Sequence, residues 1–217
     1  MIDGWFMRKK VYVTKAFAYN GPNIRRYCKK HLRKNSYSFD DQIYRIFYYD
    51  TEPLLKKGQN PISKESIDFS KTPVAKQQMD LLESIKRTPN FALRLGRTVW
   101  RNNEWILNPH KFKELLSGKI KVCDLTSADV KPRIEQKAVD MKIGLDIAMI
   151  ATKKLADVLI VITGDCDIVP ALKLARIEGM MVGLDPLNHT VSSELTEHVD
   201  FVKTYIKREM FKTECSE

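Results

Sequence analysis

The chain has 217 residues, of which 43% are hydrophobic and 29% charged. That balance excludes a disordered or fibrous chain and fits one domain of 1–217 carrying an insertion at about 51–120. Lys and Arg outnumber Asp and Glu by 37 to 27, a net charge of +10, which favours a polyanionic partner with nucleic acid first, the plain alternative being a basic soluble surface.

"MIDGWF" opens the chain and places Asp3 between an apolar residue and a glycine. It reads as the stump of a first strand that offers a carboxylate at its end. The first 34 residues hold ten Lys or Arg and one acid, Asp3. Asn20, Gly21 and Pro22 start a helix, in which Ile24, Tyr27, Cys28, His31 and Leu32 recur at the spacing of one buried face. Arg25, Arg26, Lys29, Lys30, Arg33 and Lys34 take the remaining surface, as a phosphate-contacting ridge or as a solvated face.

"QIYRIFYYD" (42–50) reads as a strand closed by Asp50. A polar segment from Thr51 to about Thr72, with Pro53, Gly58 and Pro61, reads as a long loop or flap. A helix is expected from Pro73 to Lys86. "FALRLGRTVWRNNEWIL" has the pattern of a hairpin turning at Asn102 and Asn103. Arg94, Arg97 and Arg101 on it would contact a nucleic-acid strand, and Trp100 and Trp105 either stack on bases or pack across strands.

The last third predicts a helix from Val139 to Leu155, then the continuous apolar strand "DVLIVIT", as in a parallel sheet covered on both faces. "GDCD", the helix "IVPALKLARIEG" stopped by Gly179, and the strand "MMVGL" complete an α/β unit. The fold class is therefore α/β, a mostly parallel central sheet flanked by helices, with an inserted hairpin and loop region.

In such sheets ligands bind beyond the carboxyl ends of the strands. Asp165 and Asp167 sit there, Asp50 ends another strand, and Asp3 ends the first. Converging carboxylates repel one another unless a cation lies between them, and a hard divalent ion suits oxygen ligands. Each acid also has a plain reading: Asp167 and Asp140 as helix caps, Asp165 as a turn former. Asp146 shares an apolar helix face with Ile143, Met149 and Ile150, so it either pairs with a cation such as Lys142 or faces a site.

Taken together, "IDG", "QKAVDMKIGLD" and "VLIVITGDCDIVP" resemble the NYN family, in its LabA-like (DUF88) branch of the PIN-like nuclease superfamily. "RIFYYDTEPL", "LRLGRTVW" and "SSELTEHVDFV" extend the resemblance over nearly the whole chain. It implies a Rossmann-like (PIN-like) sandwich with an acidic pocket for Mg²⁺ or Mn²⁺. Asp3 takes the place of the family's first acid, Asp140 and Asp146 its helix pair with Lys137 before them, and Asp165 and Asp167 the acids of its SGDSD-like loop.

The expected activity is a metal-dependent phosphodiesterase, most simply a ribonuclease, with RNA favoured over DNA as partner. Asp3, Asp140, Asp165 and Asp167 would be catalytic, Asp146 a further metal residue, and Lys137, Arg25, Arg26, Lys29, Arg94, Arg97 and Arg101 substrate contacts. The rival is a catalytically inactive module that binds nucleic acid or protein. A phosphatase using an aspartyl nucleophile is rejected, because Trp5 stands where the second acid of its DxD would be. Cys28, Cys123, Cys166 and Cys215 form no CxxC pair and no zinc spacing. "MIDGWFMRKK" lacks the apolar core of a signal peptide. "IGLDIAMIATKKLADVLIVIT" is broken by Asp146, Lys153, Lys154 and Asp157. A cytoplasmic protein with no membrane contact is expected, self-association being left open.

Overall fold

Alternating side chains on buried strands decide the layering, and the computed structural model, which describes residues 1–32 and 42–206, shows this directly. In chain order the elements are β1 (Ile2–Asp3), α1 (Gly4–Thr14), α2 (Gly21–Leu32), β2 (Ile46–Thr51), β3 (Lys57–Gln59), β4 (Ser66–Asp68) and α3 (Pro73–Lys86). There follow β5 (Phe91–Leu107), α4 (Pro109–Leu116), β6 (Val130–Lys137), α5 (Val139–Thr152) and β7 (Val158–Ile162). The last are α6 (Val169–Ile177), β8 (Met181–Asp185), α7 (Ser193–Glu197) and β9 (Phe201–Val202).

Seven strands are joined in the order β6-β5-β2-β1-β7-β8-β9, and every pairing from β2 to β9 is parallel. The α/β class with a mostly parallel sheet flanked by helices is what the structure shows. No helix among the described residues is long and apolar enough to cross a membrane.

The chain divides into two compact units. The first comprises Met1–Asp50, Leu81–Gly96 and 138 onward. Along β2, Phe47 and Tyr49 enter one apolar cluster while Ile46 and Tyr48 enter another, as a strand buried on both faces requires. The Phe47 side packs against Ile143, Ile147 and Ile150 of α5 and Leu172 of α6. The Tyr48 side packs against Met7 and Val11 of α1, Ile24 and Tyr27 of α2, and Ile85 of α3. The predicted apolar face of α2 is thus buried at Ile24, Tyr27 and His31. Of the basic residues assigned to this helix, Arg33 and Lys34 lie outside the described residues, as does Cys215.

The second unit comprises Thr51–Asp80 and Arg97–Lys137. The segment read as a loop contains the antiparallel hairpin β3–β4, with Gly58 opposite Ile67. The expected hairpin turn at Asn102 and Asn103 is not one. Both residues take positive φ, 49° and 54°, yet the chain continues as one strand whose antiparallel partner is β6. Trp100 pairs with Ile134 and Trp105 with Pro132, so the left-handed pair makes a bulge rather than a reversal. The two tryptophans meet edge to face at 5.8 Å, and Phe69 stands against Trp100 at 5.3 Å. Trp100 is buried and donates its indole N–H to the Glu104 carbonyl at 2.7 Å. They pack across the strand, as their alternative reading had it.

Gly4 shows why the first strand needs a glycine directly after it. A Cβ there would fall 2.6 Å from both the Tyr48 ring and the Tyr49 carbonyl oxygen, a contact neither a backbone atom nor a buried ring can yield to. Replacing Gly4 by alanine should therefore destabilise the protein by about 1–3 kcal/mol. The measurement is the shift of the urea unfolding midpoint, and an unchanged midpoint would contradict this packing.

Candidate metal centre

The apolar strand β7 ends at Ile162 and hands the chain to Thr163, Gly164 and Asp165. Gly164 is required by proximity: a Cβ would lie 2.7 Å from the Phe6 ring. The buried Thr163 hydroxyl accepts the Asp165 N–H at 3.1 Å, and the Asp165 carboxylate accepts the Asp167 N–H at 3.0 Å. These two bonds coil the loop so that Asp165 and Asp167 point to the same place. The turn-forming reading of Asp165 is therefore part of its geometry, while α6 starts at Val169 with Ile168, not Asp167, in the cap position and no side-chain cap.

Asp140 reaches the same place from α5. Ala138 precedes that helix in the left-handed region, φ 65°, and Asp140 lies in its first turn without capping it. One oxygen each of Asp140, Asp165 and Asp167 can be chosen so that all three lie within 4.8 Å of one another. No Lys, Arg or His among the described residues forms an ion pair with any of the three. The Asp140 carboxyl is held above its usual range, first by burial and then by the charges of Asp165 and Asp167.

Asp3 stands at the end of β1 and caps α1, accepting the Phe6 N–H at 3.0 Å. Burial pushes its carboxyl up to about 6; the Phe6 N–H opposes this, and the charges of Asp140, Asp165 and Asp50 add to it. It lies outside the group of three but is electrostatically coupled to it.

Three other aspartates of this unit have side-chain partners. Asp50, fully buried, is paired with Arg8 at 3.3 Å. Asp185, equally buried, accepts from Tyr27 at 2.6 Å, stands 3.0 Å from His31 Nε2, and accepts the Leu187 N–H at 2.9 Å. Asp146 accepts from the Tyr49 hydroxyl at 2.9 Å and from Arg94 at 3.0 Å. Its cation is thus Arg94 and not Lys142, which donates to the Leu95 carbonyl at 2.8 Å. The structure places Asp146 outside the group of three, where it fixes α5 to β2 and β5.

The basic residues predicted as substrate contacts are dispersed. Arg25 is bound to the Asn90 side chain at 2.8 Å, and Arg94 is committed to Asp146 with its guanidinium over the Phe47 ring. Arg26 is exposed and Lys29 half-buried on α2. In the second unit Arg101 and Lys137 share Glu135, at 3.3 and 3.0 Å, and the exposed Arg97 pairs in register with Lys137.

Sequence reasoning did not single out Arg8, the partner of Asp50, or Tyr49, the partner of Asp146. It also passed over Lys10 and His189, which meet at 2.9 Å near the Gly164 loop. The run "RKK" that begins five residues past Asp3 was the available signal for the first and third of these. No protein-family model matches the chain, and no curated protein or solved structure matches it significantly.

The donor set is all carboxylate oxygen, with neither imidazole nor thiolate among the three, which suits a hard cation such as Mg²⁺ or Mn²⁺. Cys166, between the two loop aspartates, has its thiol against the Ser192 hydroxyl at 2.8 Å instead.

A pH prediction follows from Asp3. Its folded value lies above that of an unfolded aspartate, so the stability it confers is fully present below about pH 4. That contribution is lost as the pH rises through about 6. Metal-free protein should lose of order 2–3 kcal/mol from this group over that window. Asp3→Asn, which still caps α1, should remove most of that loss. Thermal melts in EDTA from pH 4.5 to 7.5 check it, and parallel curves for the two proteins would refute it.

Proposed function

We propose that this protein is a metal-dependent nuclease that hydrolyses phosphodiester bonds, RNA before DNA, and that it is an NYN-family protein of the LabA-like branch. The observation that carries the reading is the cluster of Asp140, Asp165 and Asp167, whose oxygens lie within 4.8 Å with no cation among the described residues paired to them. Three unneutralised carboxylates at such spacing repel one another, and a bound divalent cation is the ordinary remedy. The choice of RNA and of family rests on the ordered motifs around these acids, and the net charge of +10 supports a polyanionic substrate. The cytoplasm is the compartment this reading calls for, and the free thiols Cys28, Cys123 and Cys166 suit it.

Asp140, Asp165 and Asp167 would hold Mg²⁺ or Mn²⁺, with Asp3 completing the negative surround. When bound, such an ion lowers the pKa of an attacking water and stabilises charge on the phosphoryl oxygens. The chain's own contribution is positional. The Thr163 hydroxyl holds the Asp165 backbone N–H and the Asp167 N–H holds the Asp165 carboxylate before substrate arrives. Arg8 pairs with the buried Asp50, one of the carboxylates whose charge raises Asp3. Tyr49 and Arg94 lock Asp146, and with it the helix that presents Asp140. No histidine or cysteine nucleophile is needed for this chemistry.

Asp165→Asn tests the proposal. An asparagine keeps the acceptor for the Asp167 N–H, so stability should change by less than about 1 kcal/mol. Mn²⁺-dependent cleavage of RNA should fall by at least about 100-fold. Cleavage that persists both in this variant and in EDTA would defeat the reading. Salt-sensitive RNA binding without cleavage under any divalent metal would select the non-catalytic module instead.

A further inference from the structure

Lys10 Nζ lies 2.9 Å from His189 Nδ1, an unusual pairing of two groups that both favour positive charge. An ammonium can only donate, so Nδ1 accepts and the imidazole carries its proton on Nε2, leaving that N–H as a further donor. No carboxylate among the described residues forms an ion pair with Lys9, Lys10 or His189. Burial and then the neighbouring ammonium groups lower the proton affinity of both Lys10 and His189. The neighbouring Lys9 and Lys10 ammonium groups are relieved by an anion, as crowded carboxylates are by a cation, and the neutral His189 adds a donor.

The place of this cluster matters. The Phe6 ring is in contact with His189 at 6.0 Å between centroids. The same ring fills the space over Gly164, and His189 Cδ2 lies 3.4 Å from where a Gly164 Cβ would be. The pair therefore borders the loop that carries Asp165. Beside His189 is a depression of about 290 Å³, lined also by Asn188, Thr190 and Lys203 and by no carboxylate. On the same helix as Lys10, Trp5 is 50% exposed with the Lys9 ammonium 5.0 Å from its ring centre. An exposed indole beside a cation, two residues from Asp3, is a platform on which an unpaired base can stack.

We propose that Lys10 and His189 form a phosphate-binding subsite next to the acidic cluster, taking one backbone phosphate of a single-stranded nucleic acid whose adjoining base stacks on Trp5. The subsite deepens the nuclease reading and rests on it for the role of the neighbouring acids. Lys9 adds charge to the same wall. A duplex, whose bases are already stacked on one another, cannot use Trp5.

The test measures binding of a short labelled single-stranded RNA, the same DNA strand and an RNA duplex to the full chain in EDTA, across a salt series. Lys10→Ala should weaken single-strand binding about tenfold and reduce the slope of log affinity against log salt by about one. Lys10→Arg should restore both. Trp5→Ala should weaken single-strand binding about fivefold, leave the salt slope unchanged, and leave duplex binding as it was. Either single strand showing this pattern supports the subsite. Single-strand affinity within about twofold of wild type in both Lys10→Ala and Trp5→Ala overturns it. Thermal stabilisation by Mn²⁺ separates the two readings. If wild type neither responds to Mn²⁺ nor cleaves, while the binding losses remain, the nuclease reading fails and the subsite stands. If wild type cleaves and both variants bind as it does, the subsite fails alone.

Discussion

The parallel ladder around β1 is the constraint on which the rest of this structure depends. Only Ile2 and Asp3 form this strand, yet it is flanked on both sides, by Tyr48 and Tyr49 of β2 and by Ile162 of β7. The Met1 carbonyl accepts the Ile162 N–H at 2.8 Å, continuing the ladder one residue earlier. Ile2 is almost fully buried in the same cluster as Tyr48 and Ile162. A two-residue strand would fray at a sheet edge; at the centre, two neighbours hold it. Because β1 is fixed, Asp3 is fixed, and Gly4 lets α1 leave directly over Tyr48.

From this ladder the charge arrangement unfolds. The parallel strands deliver Asp3, Asp50, Asp165 and Asp185 to their carboxyl ends, which without compensation would be strongly repulsive. Asp50 and Asp185 are each given buried partners, Arg8 in one case and Tyr27 with His31 in the other. Breaking such a buried pair leaves an uncompensated charge, so these residues belong to the scaffold. Asp140, Asp165 and Asp167 have no such partner among the described residues, and they converge. The contrast between partnered and unpartnered acids marks the candidate site more sharply than their number does.

The same segment that fixes Asp3 also brings the positive wall. Arg8, Lys9 and Lys10 follow one another on α1, but each meets a different neighbour: Asp50, the Trp5 ring and His189. One turn of helix thus serves the scaffold and places cations beside the loop that carries Asp165. In the second unit, by contrast, Arg101, Arg133 and Lys137 are all drawn to Glu135. Each of them is engaged with Glu135, and Arg133 also with Glu104, which separates basic composition from a basic binding surface.

Much of the fold was legible from local pattern. The helix at Pro73–Lys86, the buried face of α2, and the order of β7, α6 and β8 all follow from periodicity, caps and Gly179, whose φ of 86° ends the helix. The acidity of the loop after β7 was equally plain, because "GDCD" follows a continuous apolar strand. What local pattern could not supply was any pairing across long sequence separations. Asn102 and Asn103 have turn-forming chemistry, yet β6 captures both halves of β5 and turns a reversal into a bulge. Asp146 finds Tyr49 and Arg94, and Lys10 finds His189, at separations no spacing rule reaches. The sequence by itself determined which residues would be helix, strand and acid, since those depend on neighbours a few positions away. Only the tertiary structure decided which acids are neutralised, which converge and which cations face them, because charge partnership depends on distances set by the packed sheet.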